Sequence, residues 1–191
     1  SEEPKDPNIQ FVEVQTLLFG ENPPPLSAKT IQLKNHEPTK ASQKKRGIIK
    51  SYAANTNQGI IRDYNEDRVS IILNILKPKN KQNIDVEWPQ ICFFGVFDGH
   101  AGRAAVQRLV EWIPQALRDA MAEGDPSAWP RLTPEAITNA LLAVDERLLD
   151  ASEAEGGWED GATALLAIMH AGEPRLPVQL VQLGDSQAVL C

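Results

Sequence analysis

Cysteine is almost missing from this chain. Only Cys92 and Cys191 occur in 191 residues, too few for a disulfide framework. Cys92 lies in the apolar run Ile91 to Phe97, where a free buried thiol is expected. That favours a reducing compartment, cytoplasmic or nuclear. Histidine is also scarce, and no Cys/His spacing of a zinc site is present. His36 and His170 have no neighbouring ligand in sequence, so each reads as a surface or loop histidine. No apolar stretch is long enough to span a membrane. The start, Ser1-Glu2-Glu3-Pro4-Lys5-Asp6, lacks the basic opening and apolar core of a secretory signal. Basic residues are in deficit: 19 Lys and Arg face 26 Asp and Glu, a net charge of -7. That argues against general nucleic-acid binding. It leaves phosphorylated ligands open, because local charge and bound cations override the net field. Neither a P-loop nor a GxSxG elbow is found.

What is present suffices for a core: 42% of the residues are hydrophobic, and the length fits one domain or most of one. Residues 1 to 47 read as an extension or linker, with the extended triplet Pro23-Pro24-Pro25 and the basic run Lys44-Lys45-Arg46. Its one apolar island, Gln10 to Phe19, is a candidate strand or short helix. From residue 48 to 191 the chain reads as a folded domain. Ile48 to Ala54, Arg68 to Leu76, Ile91 to Phe97, Ala162 to Met169 and Val178 to Leu183 are candidate strands. Asn55 to Gly59 supplies turn chemistry, Lys77 to Asn83 a solvent loop, Gly184 to Gln187 a tight turn, and Ala188 to Cys191 the start of a further strand. Between them Ala104 to Ala120 repeats apolar residues at helical spacing, with Pro114 expected to kink or restart the helix. Thr133-Pro134-Glu135 is a strong helix start, and Glu153 to Asp160 breaks that helix. Strand pairs, two helices, then strand pairs make an α+β or layered α/β pattern.

Three clusters carry possible chemistry. Asp98-Gly99-His100 follows a buried strand directly. A carboxylate beside an open glycine carbonyl suits a hard cation, Mg²⁺ or Mn²⁺. Asp98 has two oxygens with which to bridge two ions, and His100 is placed to protonate a leaving group. Arg62 precedes Glu66 and Asp67, a phosphate-binding fork before two carboxylates that point to opposite faces of an extended chain. Asp185 follows a strand and is a candidate further ligand. Each cluster alone is also what an ordinary polar turn looks like, and Gly161-Ala162-Thr163 reads as structural.

Taken in order, four segments resemble the 2C-class metal-dependent Ser/Thr protein phosphatases. They are Asn57-Gln58-Gly59…Arg62…Asn65-Glu66-Asp67, Phe93 to Gly102 (FFGVFDGHAG), Asp160-Gly161-Ala162-Thr163-Ala164, and Val181 to Leu190 (VQLGDSQAVL). The resemblance covers roughly residues 50 to 191. It implies a layered α-β-β-α sandwich with a centre of two Mg²⁺ or Mn²⁺ ions, and in some members a weaker third. Asp98 would bridge the pair and the Gly99 carbonyl would bind one ion. Glu66 and Asp67 would hold the waters of the centre, and Asp185 would match a ligand of the third ion. Arg62 would bind the substrate phosphate, and His100 would be the general acid for the departing Ser or Thr oxygen of a phosphoprotein. Gln187 departs from the family's usual Arg. Two further aspartates and several strands of the family lie in its C-terminal half, beyond Cys191. The expected function is therefore phosphoserine/phosphothreonine hydrolysis, with the site completed by a C-terminal half. The alternative is an inactive, truncated phosphatase-like binding module.

Overall fold

The computed structural model describes residues 40–41, 47–85, 87–123, 132–171 and 178–190. Gln10 to Phe19, the proline triplet, the Lys44-Lys45-Arg46 run, His36 and Cys191 lie outside them. The chain divides into two compact units, one holding residues 1–41 and 53–65, the other 42–52 and 66–191.

The smaller unit is built from turn chemistry. β1 (Lys40–Ala41) pairs antiparallel with β2 (Ala53–Ala54). The expected strand from Ile48 to Ala54 is thus shortened to its last two residues. The Asn57 side chain accepts from the Gly59 N–H at 2.6 Å, and Gly59 takes φ +76°, a left-handed turn open to glycine.

In the larger unit, β3 (Arg68–Ile72), β4 (Ile91–Phe97), β7 (Ala164–His170) and β8 (Val178–Leu183) form one antiparallel sheet in the order β3-β4-β7-β8. β4 and β8 keep the bounds expected from their patterns. β3 ends earlier than Leu76: at Leu73 side chains take over, Gln90 Nε2 and Cys92 Sγ both donating to its carbonyl, and beyond it the Ile75 N–H donates to the Ile91 carbonyl at 2.8 Å. A second ribbon pairs β5 (Gly99–His100) with β6 (Gly161–Ala162). The solvent loop contains a single 3-10 turn at Lys79–Lys81, and residues 186–190 form no strand.

Two helices supply the apolar cover. α1 (Ala104–Met121) buries Val106, Leu109, Ile113, Leu117 and Met121, one stripe at helical spacing. The stripe meets Phe93, Phe97, Leu166 and Ile168, all fully buried and on one face of the sheet by register. Pro114 lies inside a continuous α1, so the helix does not restart there. A proline removes the N–H that would bond the carbonyl four residues back. That carbonyl, Val110 O, accepts instead from the Ser70 hydroxyl of β3 at 3.4 Å. α2 (Pro134–Ala154) starts as its sequence requires: the Thr133 hydroxyl accepts from the Ala136 N–H at 3.1 Å, with Pro134 in the first turn.

The opposite sheet face is apolar too. Phe94, Val96, Leu165, Ala167 and Met169 share it by register, and all are partly or largely exposed. A solvated antiparallel sheet face is usually polar. His170, read as a surface or loop histidine, is instead buried at the end of β7, because inward and outward positions alternate and its parity matches Leu166 and Ile168. The described residues are thus α+β, with helices on one face of an antiparallel sheet.

Candidate functional site

The end of β4 delivers Asp98 to the surface while burying Gly99. Gly99 is required by proximity. A Cβ there would stand 2.6 Å from the Glu66 carbonyl oxygen, closer than atoms can approach. This packing brings the stretch before β3 against the turn after β4. Glu66 and Asp67 then diverge, as adjacent residues of an extended chain do. The Glu66 carboxylate turns to the loop after β5 and accepts from the Gly102 N–H at 2.8 Å. Asp67 turns to Asp98, with which its carboxyl shares a hydrogen bond.

That contact has an electrostatic signature. Burial, then the charge and hydrogen bond of Asp98, push the Asp67 carboxyl above the usual carboxylate range, and the Arg68 guanidinium only partly offsets them. Two neighbouring carboxylates are eased by a shared proton or a cation. With the Gly99 carbonyl, next in sequence to Asp98, the candidate donor set is all oxygen, which suits one side of a Mg²⁺ or Mn²⁺ site. Among the described residues no three His, Cys, Asp or Glu side chains converge to hold a metal.

His100 is exposed and pairs with Gly161 across the β5–β6 ribbon. A Cβ at Gly161 would lie 2.8 Å from its Nε2, so the imidazole lies directly over that glycine. Asp185 is exposed in the turn after β8. Arg62 belongs to the smaller unit, where it is exposed and its carbonyl accepts from Gln58 Nε2 at 2.6 Å.

Two supports escaped the sequence reading. Asp160 caps α1 from a distance: its Oδ2 accepts from the Ala105 N–H at 2.9 Å, while Arg103, at the capping position, gives no capping bond from its side chain. The capping bond itself thus comes from 55 residues away and has no local signature. Ala101 adopts φ +60°, a left-handed backbone rare outside glycine, and nothing in its sequence context signals that.

Beside this turn a groove of about 1090 Å³ opens between α2 and the β7–β8 side of the sheet. Leu141, Leu148, Val181 and Leu183 line it, with His100 and Asp160 also on its wall. Neither Asp67 nor Asp98 lines it, so the carboxylate pair is a separate feature.

The family model described as Protein phosphatase 2C matches residues 61–191. The integrin-linked kinase-associated serine/threonine phosphatase 2C of Bos taurus is 30% identical over 105 residues, covering 53% of this chain and 27% of that protein. Protein phosphatase 2C 56 of Arabidopsis thaliana is 29% identical over 134 residues, covering 66% of this chain and 29% of that protein. A solved serine-threonine phosphatase 2C from Toxoplasma gondii aligns at a TM-score of 0.40 with 17% identity, over 65% of this chain and 46% of that one. The chain spans between 27% and 29% of the length of these two curated relatives.

Proposed function

The chain belongs to the protein phosphatase 2C family, and from that premise we propose that residues 48–191 are the first part of a metal-dependent phosphoserine/phosphothreonine phosphatase domain, with residues 1–47 as its extension. The observation that carries this reading is the Asp67–Asp98 carboxyl contact beside Gly99. Asp98, Asp67 and the Gly99 carbonyl would hold Mg²⁺ or Mn²⁺, two ions as in the family, with Asp185 toward a third. Bound there, the ions neutralise charge at phosphorus and make water acidic enough to attack it.

The chain's own residues do the rest. Glu66 fixes the loop after β5 through the Gly102 N–H, and so fixes where Gly99 and His100 stand. The Arg62 guanidinium presents a fork to the phosphate dianion. The His100 imidazole, lying over Gly161, gives its proton to the departing seryl or threonyl oxygen. Carboxylates from outside these residues complete the centre, and a second sheet layer covers the apolar face around Phe94 and Leu165. Free, buried Cys92 fits a reducing intracellular compartment, cytoplasmic or nuclear. No helix among the described residues is long and apolar enough to cross a membrane.

Asp98→Ala in the whole protein tests the reading. Hydrolysis of a phosphopeptide with Mn²⁺ should be abolished, and appreciable residual activity defeats it. His100→Ala should slow a phosphopeptide more than an aryl phosphate, whose leaving group needs less protonation. A second reading, an inactive binding module, draws on the absence of a three-carboxylate group among the described residues. It predicts no Mn²⁺ heat in calorimetry of the whole protein.

A further inference from the structure

Three motifs that stand far apart in sequence meet at one side chain. Thr163 lies between β6 and β7, the single residue separating the short ribbon from the main sheet. Its backbone N–H donates to the Asp98 carbonyl at 2.9 Å. Its hydroxyl oxygen accepts from the Asp98 N–H at 3.3 Å. One residue therefore holds both backbone polar groups of Asp98. The same hydroxyl lies 2.7 Å from the Ser186 hydroxyl. A hydroxyl has one proton and two lone pairs, so Thr163 Oγ1 can accept from Asp98 and bond Ser186 at the same time, with either hydroxyl as the donor. Gly184 admits the contact from the other side. It takes φ +92°, and a Cβ there would stand 2.7 Å from the Thr163 methyl carbon. The turn carrying Asp185 is thus seated on Thr163 at two points.

We infer that Thr163 is a positioning residue that sets Asp98 and the Asp185 turn in one fixed relation, with Ser186 as the link. The inference rests on the metal-site reading given above. Its physical basis is that a ligand's affinity depends on how well its backbone is held before the cation arrives. Losing such a support commonly weakens metal binding about 10–100-fold. Valine at 163 keeps the shape and the backbone N–H bond but deletes the hydroxyl. Serine keeps the hydroxyl and loses only a methyl group.

The test uses the full chain and two readouts. In Mn²⁺ calorimetry, Thr163→Val should weaken affinity by about tenfold or more, while Thr163→Ser stays within about threefold of wild type. Thr163→Val with Ser186→Ala should bind no worse than Thr163→Val alone, because both cut one chain of bonds. In amide NMR without metal, Thr163→Val should speed exchange at the Asp98 N–H about five- to tenfold, the loss of one hydrogen bond. It should also shift Asp185. Ser186→Ala should shift Asp185 and leave the Asp98 exchange rate nearly unchanged; it serves as the deciding variant if Thr163→Val does not fold. Wild-type affinity in Thr163→Val, serine failing to rescue, or an undisturbed Asp185 in both variants overturns the inference. If the wild-type whole protein takes up no Mn²⁺, the metal reading falls, and the exchange data alone decide whether Thr163 couples the two turns.

Discussion

Replacing Gly99 with alanine puts a methyl group where the fold has left no room. The new Cβ would lie 2.6 Å from the Glu66 carbonyl oxygen and 3.2 Å from both the carbonyl carbon and the Cβ of the same residue. To reach ordinary contact the two segments must part by about 0.4–0.8 Å, and overpacking of this kind costs about 1–3 kcal/mol. The neighbour is backbone, and its side chain is tied to the Gly102 N–H, so no flexible group can swing aside. For a chain of this length each kcal/mol lowers the melting temperature by about 2–4 °C, giving a fall of roughly 2–12 °C. Gly161→Ala is the internal comparison. Its Cβ would meet the Nε2 of exposed His100 at 2.8 Å, the far end of a side chain free to rotate. The expected stability loss is within about 0.5 kcal/mol, as for surface substitutions, while the imidazole is displaced. Thermal melts by circular dichroism, with a histidine NMR spectrum of each variant, read both effects. A Gly99→Ala melt equal to wild type, or a larger loss from Gly161→Ala, would refute the packing argument.

Other outcomes follow from single contacts. Asp160→Ala removes the acceptor for the Ala105 N–H and should cost about 0.5–2 kcal/mol in urea unfolding; Asp160→Asn should keep most of it, and equal losses in the two would assign the effect to something other than the cap. Burial pushes the Cys92 thiol above its ordinary range, so peptide mapping should find it unmodified by iodoacetamide at pH 8 in the native chain and modified in urea. Rapid native labelling would contradict the burial. Without divalent metal, the raised Asp67 pKa means the folded state holds this proton more tightly than the unfolded state. Its contribution to stability is therefore greatest below pH 3.8 and declines as pH rises through the folded value. Asp67→Asn should flatten that part of the stability profile measured in EDTA, and an unchanged slope would exclude the Asp67–Asp98 contact as its source.

The sequence disclosed what is encoded locally. β4 and β8 were readable because uninterrupted or alternating apolar residues mark a strand without reference to anything distant. Thr133-Pro134 marked the start of α2 because cap and acceptor lie three residues apart. The α+β order and the Asp98-Gly99-His100 turn were legible for the same reason. What escaped depends on partners far along the chain. Ile48 to Ala54 had the composition of a strand, but only Ala53 and Ala54 pair as a ladder, with Ile49 in an isolated bridge. Thr163 resembled an ordinary strand opening, and its bond to Asp98 spans 65 positions. Asp160 sat in a segment that ends one helix, yet it caps another. His170 offered no sign of burial until its parity in β7 was known.

The proline in α1 carries a consequence of a different kind. Its missing N–H frees one carbonyl, at Val110, and one hydroxyl, on Ser70, answers it. Hydrophobic packing alone would let the helix slide along the sheet or roll over it with modest loss, since one aliphatic contact can replace another. A polar pair cannot be replaced that way: slippage leaves the part-buried carbonyl without this partner. Pro114 therefore works as a locating pin, trading a little helical continuity for a unique seat. Ten residues toward the amino end, about 15 Å along a rigid rod, that seat fixes where α1 begins, beside the loop Glu66 grips. An error of one turn at the pin would carry undiminished to His100's doorstep.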